Sequence, residues 1–268
     1  EQTKWDKKDG QGNVVSTTTI NKPVHVLFEG LDTKIFDKME LSQLPKSIVS
    51  TLDEIEEQFC FICVGHWLHG AAGHDRKDIA GTIQVFLESF KGMQQKPALV
   101  LKTSSASFSV SDKQEMLMRI KSIKQHIDNK GTQLPNVYLL HGDLTPEEMN
   151  GLYNHPKVKA MISLTHGEGF GRPLLEFSVT GKPTIATNWS GHTDFMSNYT
   201  FKLPGEIKEV HKTSLYKGII SEGAKWFYAD YGYASKFLKD VYRKYKQFIP
   251  ISRKQRKFVK DNFTIEMM

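Results

Sequence analysis

Two carboxylates, Glu168 and Glu176, stand on either side of a glycine-rich turn, His166-Gly167-Glu168-Gly169-Phe170-Gly171-Arg172-Pro173. The turn follows an apolar run, Val158 to Leu164, that reads as a buried strand. A short helix comes next. Pro173 suits its first position, where a missing N–H costs nothing, and Gly181 suits the position past its end, where φ is often positive. Glycines in such a turn let the backbone approach a ligand closely. The helix N-terminus offers free N–H groups and the positive end of a dipole, which favour a phosphate. A carboxylate does not suit a phosphate, but it accepts two hydrogen bonds from a vicinal diol. Glu168 in the loop and Glu176 one turn into the helix therefore suit hydroxyls. A diphosphate with diols on both sides describes a nucleotide-sugar. A glycine pair before a helix is by itself only a tight turn.

Other reactive side chains carry less. Cys60 and Cys63 form a lone C-x-x-C inside an apolar strand, where positions i and i+3 point to opposite faces. Without a second pair they read as inert core thiols, which fits a reducing, cytoplasmic compartment. His66, His69 and His74 share one glycine-rich loop, but their spacing matches no zinc pattern, and no metal is expected.

The elements that must position these residues alternate. Residues 1–22 are polar and read as linker or weak strand, outside the core. Val24–Phe28, Phe59–Val64, Ala98–Leu101, Val137–Leu140, Val158–Leu164 and Thr184–Ala186 read as buried strands. Between them lie a helix capped by Asp78, another from Asp112 to Asn129, and a short one opened by the capping box Thr145-Pro-Glu-Glu148. The last long helix spans Ala234–Phe248. Strands alternating with helices imply a parallel α/β sheet with right-handed crossovers, Rossmann-like, with helices on both faces. Ligands of such sheets sit at the carboxyl ends of the strands, and each loop singled out follows a strand.

The segment from His166 to Glu176 resembles the E-x7-E motif of the retaining GT-B glycosyltransferases of the group 1, or family 4, type. Gly181-Lys-Pro-Thr-Ile-Ala-Thr-Asn188 with Ser190-Gly191 resembles the strand and loop that follow that motif, and Glu29–Phe36 resembles the segment that opens the second domain. The resemblance runs from about residue 22 to 264 and covers only the C-terminal, donor-binding half of a GT-B enzyme. It implies three parts: residues 1–22 as linker or remnant of a missing N-terminal acceptor domain, 23–250 as the nucleotide-sugar-binding domain, and 251–268 as a basic helix returning to that missing domain. The chain is then a fragment, a processed chain or one part of a split enzyme.

The resemblance also implies roles. Lys77 is expected to clamp the leaving diphosphate, with Arg76 second, because positive charge must stand where negative charge develops. Cations are disfavoured at a helix N-terminus, so this pair is not well placed as a solvated decoration. His66 stands after Gly65 where the family has arginine, and Lys102 at a strand end is a further phosphate contact. Leu144 is expected against the nucleobase, and Ser190 and Gly191 beside the sugar or phosphate. Gly169, Phe170 and Gly171 would line the donor. His166 has two open readings, a donor-sugar contact or a packed turn residue. Glu168 would hold sugar hydroxyls and Glu176 the ribose diol. The implied reaction is metal-independent transfer of a hexosyl or pentosyl group, with retention, from a nucleoside-diphosphate sugar to an acceptor hydroxyl on a glycan, a lipid or a modified DNA base. No cofactor is expected, and no transfer by these 268 residues alone.

Composition sets outer limits. At 268 residues, 39% hydrophobic and 25% charged, the chain can bury a sizeable core. It has no run of about 18 apolar residues, so no transmembrane helix is expected. The net charge is +6, and much of the excess lies between Lys236 and Lys260. That basic stretch is a solvated face, an anionic membrane contact or a nucleic-acid contact. Two other classes compete with transfer: a non-catalytic nucleotide-sugar or nucleic-acid binding module, and a nucleotide-sugar epimerase of the same fold, for which the paired acid and base are not visible.

Overall fold

Sixteen strands and helices follow one another in the computed structural model, which describes residues 3–22, 25–68, 71–105, 107–128 and 131–268. They are β1 (Thr3–Lys8), β2 (Val14–Ile20), α1 (Lys46–Asp53), β3 (Cys60–Val64), α2 (Ile79–Phe90), β4 (Ala98–Lys102), α3 (Val110–Ile127) and β5 (Val137–Leu140). Then come α4 (Pro146–Asn154), β6 (Val158–Ser163), α5 (Arg172–Ser178), β7 (Thr184–Thr187), β8 (Phe201–Leu203), β9 (Gly205–Glu209), β10 (Lys225–Ala229) and α6 (Tyr231–Asn262). Six strands form one sheet in the order β5-β4-β3-β6-β7-β8, parallel throughout. This is the expected Rossmann-like α/β architecture.

The central strands β3, β4, β6 and β7 are buried on both faces, and alternate residues serve two cores. Phe61, Cys63, Leu99 and Leu101 face α2, α3 and α6; Cys60, Ile62, Ala98 and Val100 face α1, α4 and α5. The two cysteines are thus on opposite faces and unpaired, and burial pushes both thiols up to about 12. The local stops and starts follow their side chains. Asp78 accepts from Gly81 N, Ser109 from Asp112 N, and Thr145 and Glu148 form the reciprocal capping box with Pro146 following. Gly171 caps α5 at φ 93°, and Pro173 occupies the second helical position rather than the first.

Three segments bear on the sequence reading. Residues 25–28 form no strand and pair with none of the sheet, and Val26 is 91% and Leu27 66% exposed. Val24 lies outside the described residues, as does Asn129. The polar N-terminal stretch forms an exposed antiparallel hairpin, β1 with β2, whose turn is held by Asp9. The closing helix does not stop at Phe248. α6 runs to Asn262 past Pro250, with a bend at Lys244 (φ −118°, ψ 25°). Its second half is pinned to the body by buried Val259, by Gln255 Nε2 donating to Phe195 O, and by a Leu31–Thr264 bridge. Among the described residues no helix is long and apolar enough to cross a membrane.

Candidate functional site

The strand order reverses between β3 and β6: β4 and β5 extend one way from β3, and β7 and β8 the other way from β6. A crevice opens outside the carboxyl ends of the strands at such a switch point. The loops after β3 and β6 flank it, and they carry Gly65 to Lys77 on one side and His166 to Gly171 on the other.

Glu168 joins the two loops. Its side chain is 8% exposed, with Lys77 Nζ 2.6 Å from Oε1 and Arg76 Nη1 3.2 Å from Oε2. Arg76 Nη1 also donates to Gly167 O at 2.7 Å, and Arg76 O accepts from His166 N. Burial alone would raise the Glu168 pKa; the charge and hydrogen bond of Lys77, with Arg76, bring it below the ordinary carboxylate value. The stem of Lys77 passes Gly65 so closely that a Cβ there would meet its Cδ at 3.2 Å. Arg76 is half exposed, Lys77 nearly buried.

The loop after β7 supports the Glu168 backbone. Glu168 N donates to Ser190 Oγ at 2.8 Å, and Gly191 N donates to Glu168 O at 3.1 Å. Ser190 adopts φ 72°, ψ −166°, a region normally left to glycine. Thr193, from N and from Oγ1, donates to Ser190 O and holds that turn. At Gly191 a Cβ would lie 1.8 Å from Gly169 O, so the two loops touch backbone to backbone. Phe170 packs its ring edge-on against Phe195, with the centroids 5.2 Å apart.

Glu176, one turn into α5, is 8% exposed. Tyr153 O–H donates to its Oε2 at 3.2 Å, and Arg172 Nε lies 3.5 Å from Oε1. Burial raises its pKa, and Arg172 and the Tyr153 hydrogen bond oppose the rise. The carboxylate therefore keeps one fixed donor from the core and one from a mostly exposed arginine.

Beside the crevice lies a cavity of about 270 Å³ that brings Gly65, His66, Lys77, Lys102 and Leu144 together with Pro173. Lys102 Nζ donates to Gly142 O and sits 5.4 Å from the Phe108 ring centroid; burial lowers its pKa, with Asp143 opposing. His66 Nδ1 is 3.4 Å from Ser104 Oγ. The wall also contains Phe108, Asp143 and Met149, which sequence reasoning passed over. Phe108 follows a strand in a serine-rich loop with no glycine or charge signature. The Phe108 ring packs 5.8 Å from that of His141, which forms a buried pair with Asp112, Nε2 to Oδ2 2.7 Å.

His166 is packed against the body, and its Nε2 is buried with no hydrogen-bond partner among the described residues. It is 1% exposed, Nδ1 lies 2.8 Å from Phe227 O, and the ring stacks on Trp226. β9 and β10 form a hairpin clamped to the motif loop in this way, an element the sequence reading did not contain. β9 is mostly charged, and fifteen residues separate it from β10, so no short hairpin signal was present. The histidine loop does not gather. His74 stacks on His211 at 3.8 Å, His66 points to Ser104, and His69 lies outside the described residues. Among the described residues no group of three His, Cys, Asp or Glu side chains could hold a metal ion.

No family model matches the chain, and no curated protein matches it in sequence. Solved structures do. The C-terminal domain of a group 1 family glycosyl transferase, LpcC from Francisella tularensis, superposes with TM-score 0.57 at 14% identity, covering 88% of this chain and 100% of that one. Anabaena HepE in complex with UDP and glucose gives 0.57 at 13% identity, covering 88% of this chain and 52% of that one. Sucrose-phosphate synthase from Thermosynechococcus elongatus gives 0.59 at 13%, covering 89% and 48%. The chain thus spans all of the isolated domain and about half of the longer proteins. At these identities the likeness is one of fold: the fold of the C-terminal domain of GT-B group 1 glycosyltransferases.

Proposed function

We propose that this chain is the donor half of a retaining glycosyltransferase and binds a nucleoside-diphosphate sugar for transfer to an acceptor hydroxyl. The observation that carries the reading is the Glu168 constellation at the switch point: a buried carboxylate, two cations and a glycine backbone from three loops. It is supported by structural neighbours that are glycosyltransferases, one of them with UDP and glucose. An ammonium has three N–H donors, and Lys77 spends one on Glu168. The others can reach a phosphate oxygen, so one residue links the sugar-binding carboxylate to the leaving group. Arg76 adds charge from the solvent side.

In this reading the donor lies with its sugar at Glu168 and the Gly169–Gly171 backbone, its diphosphate at Lys77, Arg76, Lys102 and His66, its ribose diol at Glu176, and its base against Leu144. The acceptor oxygen attacks the anomeric carbon from the face the diphosphate leaves. The carbon–oxygen bond to the phosphate breaks, its electron pair departs with the diphosphate, and the acceptor proton passes to a departing phosphate oxygen. The protein contributes position and electrostatics, not a covalent intermediate. The step needs no cofactor or metal ion; a second, acceptor-binding wall completes the cleft.

The test is a thermal-shift and calorimetry panel of UDP-, GDP-, ADP- and CMP-sugars. A donor at 100 times its dissociation constant stabilises the fold by about 2.7 kcal/mol. Stabilisation by none of the four classes overturns the reading.

A further inference from the structure

The outer face of α6 carries a row of cations that the donor site does not use. Lys236, Lys239, Arg243, Lys246 and Arg253 recur at spacings of three and four, with Pro250 at the one interruption, and the row continues through Lys257 and Lys260. This spacing places them on one side of a helix. The opposite side, Ala234, Leu238, Val241, Ser252 and Val259, is buried against the body.

Most of the row lacks counter-charge. Lys244 pairs with Asp240, Lys257 with Asp261, and Arg256 and Lys260 share Asp37. Lys236, Lys239, Arg243, Lys246 and Arg253 form no ion pair among the described residues. A solvated helix face usually alternates signs; this one does not. At its far end the row borders a groove of about 630 Å³, also lined by Lys38, Lys182 and Asp261.

The shape selects the partner. From Lys236 to Lys260 the path along the bent helix is about 36 Å, with a cation about every 5 Å except at Pro250. A nucleic-acid strand presents a phosphate every 3.4 Å or so of duplex axis, so a linear row matches a linear polyanion. A helix that binds a bilayer sets a stripe of large apolar residues beside its cations; α6 exposes Tyr233 and Ile251, 18 positions apart, and no stripe between them. α6 also starts directly after β10, and its first residue, Tyr231, donates to Asp78 beside Lys77. A strand lying along the helix would therefore run toward the loop that carries Lys77.

We infer that the outer face of α6 is a docking surface for the phosphate backbone of a nucleic acid. This does not rest on the donor assignment, and none of the five residues is part of the donor site.

The test is fluorescence anisotropy with a labelled 20-nucleotide DNA, single- and double-stranded, and the same RNA, at 50–200 mM salt. Five phosphates neutralised give a slope near −4.5 on the duplex, a loss of about 500-fold across that range. The combined variant Lys236→Gln, Lys239→Gln, Arg243→Gln, Lys246→Gln, Arg253→Gln should flatten the slope to near zero at unchanged Tm. Arg243→Gln alone, at an exposed position, should reduce the slope by about 0.9. The inference is overturned by no oligonucleotide binding at 50 mM salt or by binding that the variants leave intact. It is equally overturned by binding confined to vesicles of phosphatidylserine and phosphatidylcholine.

Discussion

Replacing Lys77 with methionine keeps the stem beside Gly65 and removes the charge 2.6 Å from Glu168. Breaking a buried ion pair by deleting one partner costs about 3–5 kcal/mol, because the other charge stays buried. Arg76 remains 3.2 Å away but is 49% exposed, and a pair of that kind recovers about 0–1 kcal/mol. The expected loss is therefore about 2–5 kcal/mol at neutral pH. For a chain of this size that lowers Tm by about 4–20 °C. The pH dependence gives the sign. In the native protein the Glu168 pKa is lowered, so its pairing stabilises above the unfolded carboxylate value and that contribution is lost as the pH falls through the folded one. In Lys77→Met burial dominates and raises the pKa. The penalty is then full at pH well above the raised value and shrinks as the pH falls through it. Thermal denaturation of both proteins should show a wide Tm gap at pH 7.5 and a narrow one near pH 4.5. In a Glu168→Gln background the same replacement should cost little. A gap below about 1 kcal/mol at pH 7.5, or an equal loss in the Glu168→Gln background, would refute the electrostatic account of the switch-point crevice.

Further predictions concern the ligand. Glu176→Ala should weaken both the nucleotide-sugar and the free nucleoside diphosphate by about 1.5–3 kcal/mol, measured by calorimetry, since a charge-assisted bond to the ribose is lost; unchanged affinity removes the ribose assignment. Glu168→Ala should weaken the sugar-bearing donor more than the bare diphosphate, and equal losses would count against the sugar role. Gly191→Ala should displace the Glu168 loop, because its Cβ would fall 1.8 Å from Gly169 O; wild-type Tm and donor affinity in that variant would contradict the backbone contact. With the acceptor half supplied, Lys77→Ala should cut turnover by about 10²–10³ while weakening donor binding less. If Lys102→Ala shows that loss instead, the diphosphate lies against β4 and not against the loop after β3.

The architecture was legible because its signals are local. The alternating apolar runs of β3, β4 and β6, the Asp78 and Thr145 caps and the glycines around α5 act within a few residues, and they place every candidate loop at one sheet edge. The residues of the site were legible by type for the same reason: two glutamates in a glycine turn, and cations at a helix start. Their partners were not. Lys77 and Glu168 are 91 positions apart, and nothing in either segment says that the cation meets the carboxylate in the unliganded protein. His166 illustrates the same limit. Its neighbours in sequence permit a ligand contact, and only the hairpin of β9 and β10, closing over it with Trp226 and Phe227, makes it a buried packing residue. Val26 and Leu27 fail in the other direction: an apolar run becomes a buried strand only where the folded chain pairs and covers it, and these two stay exposed. Local chemistry is determined by the order of residues. Which charges are neutralised, and which faces are left open, depends on segments that meet only when the chain has folded.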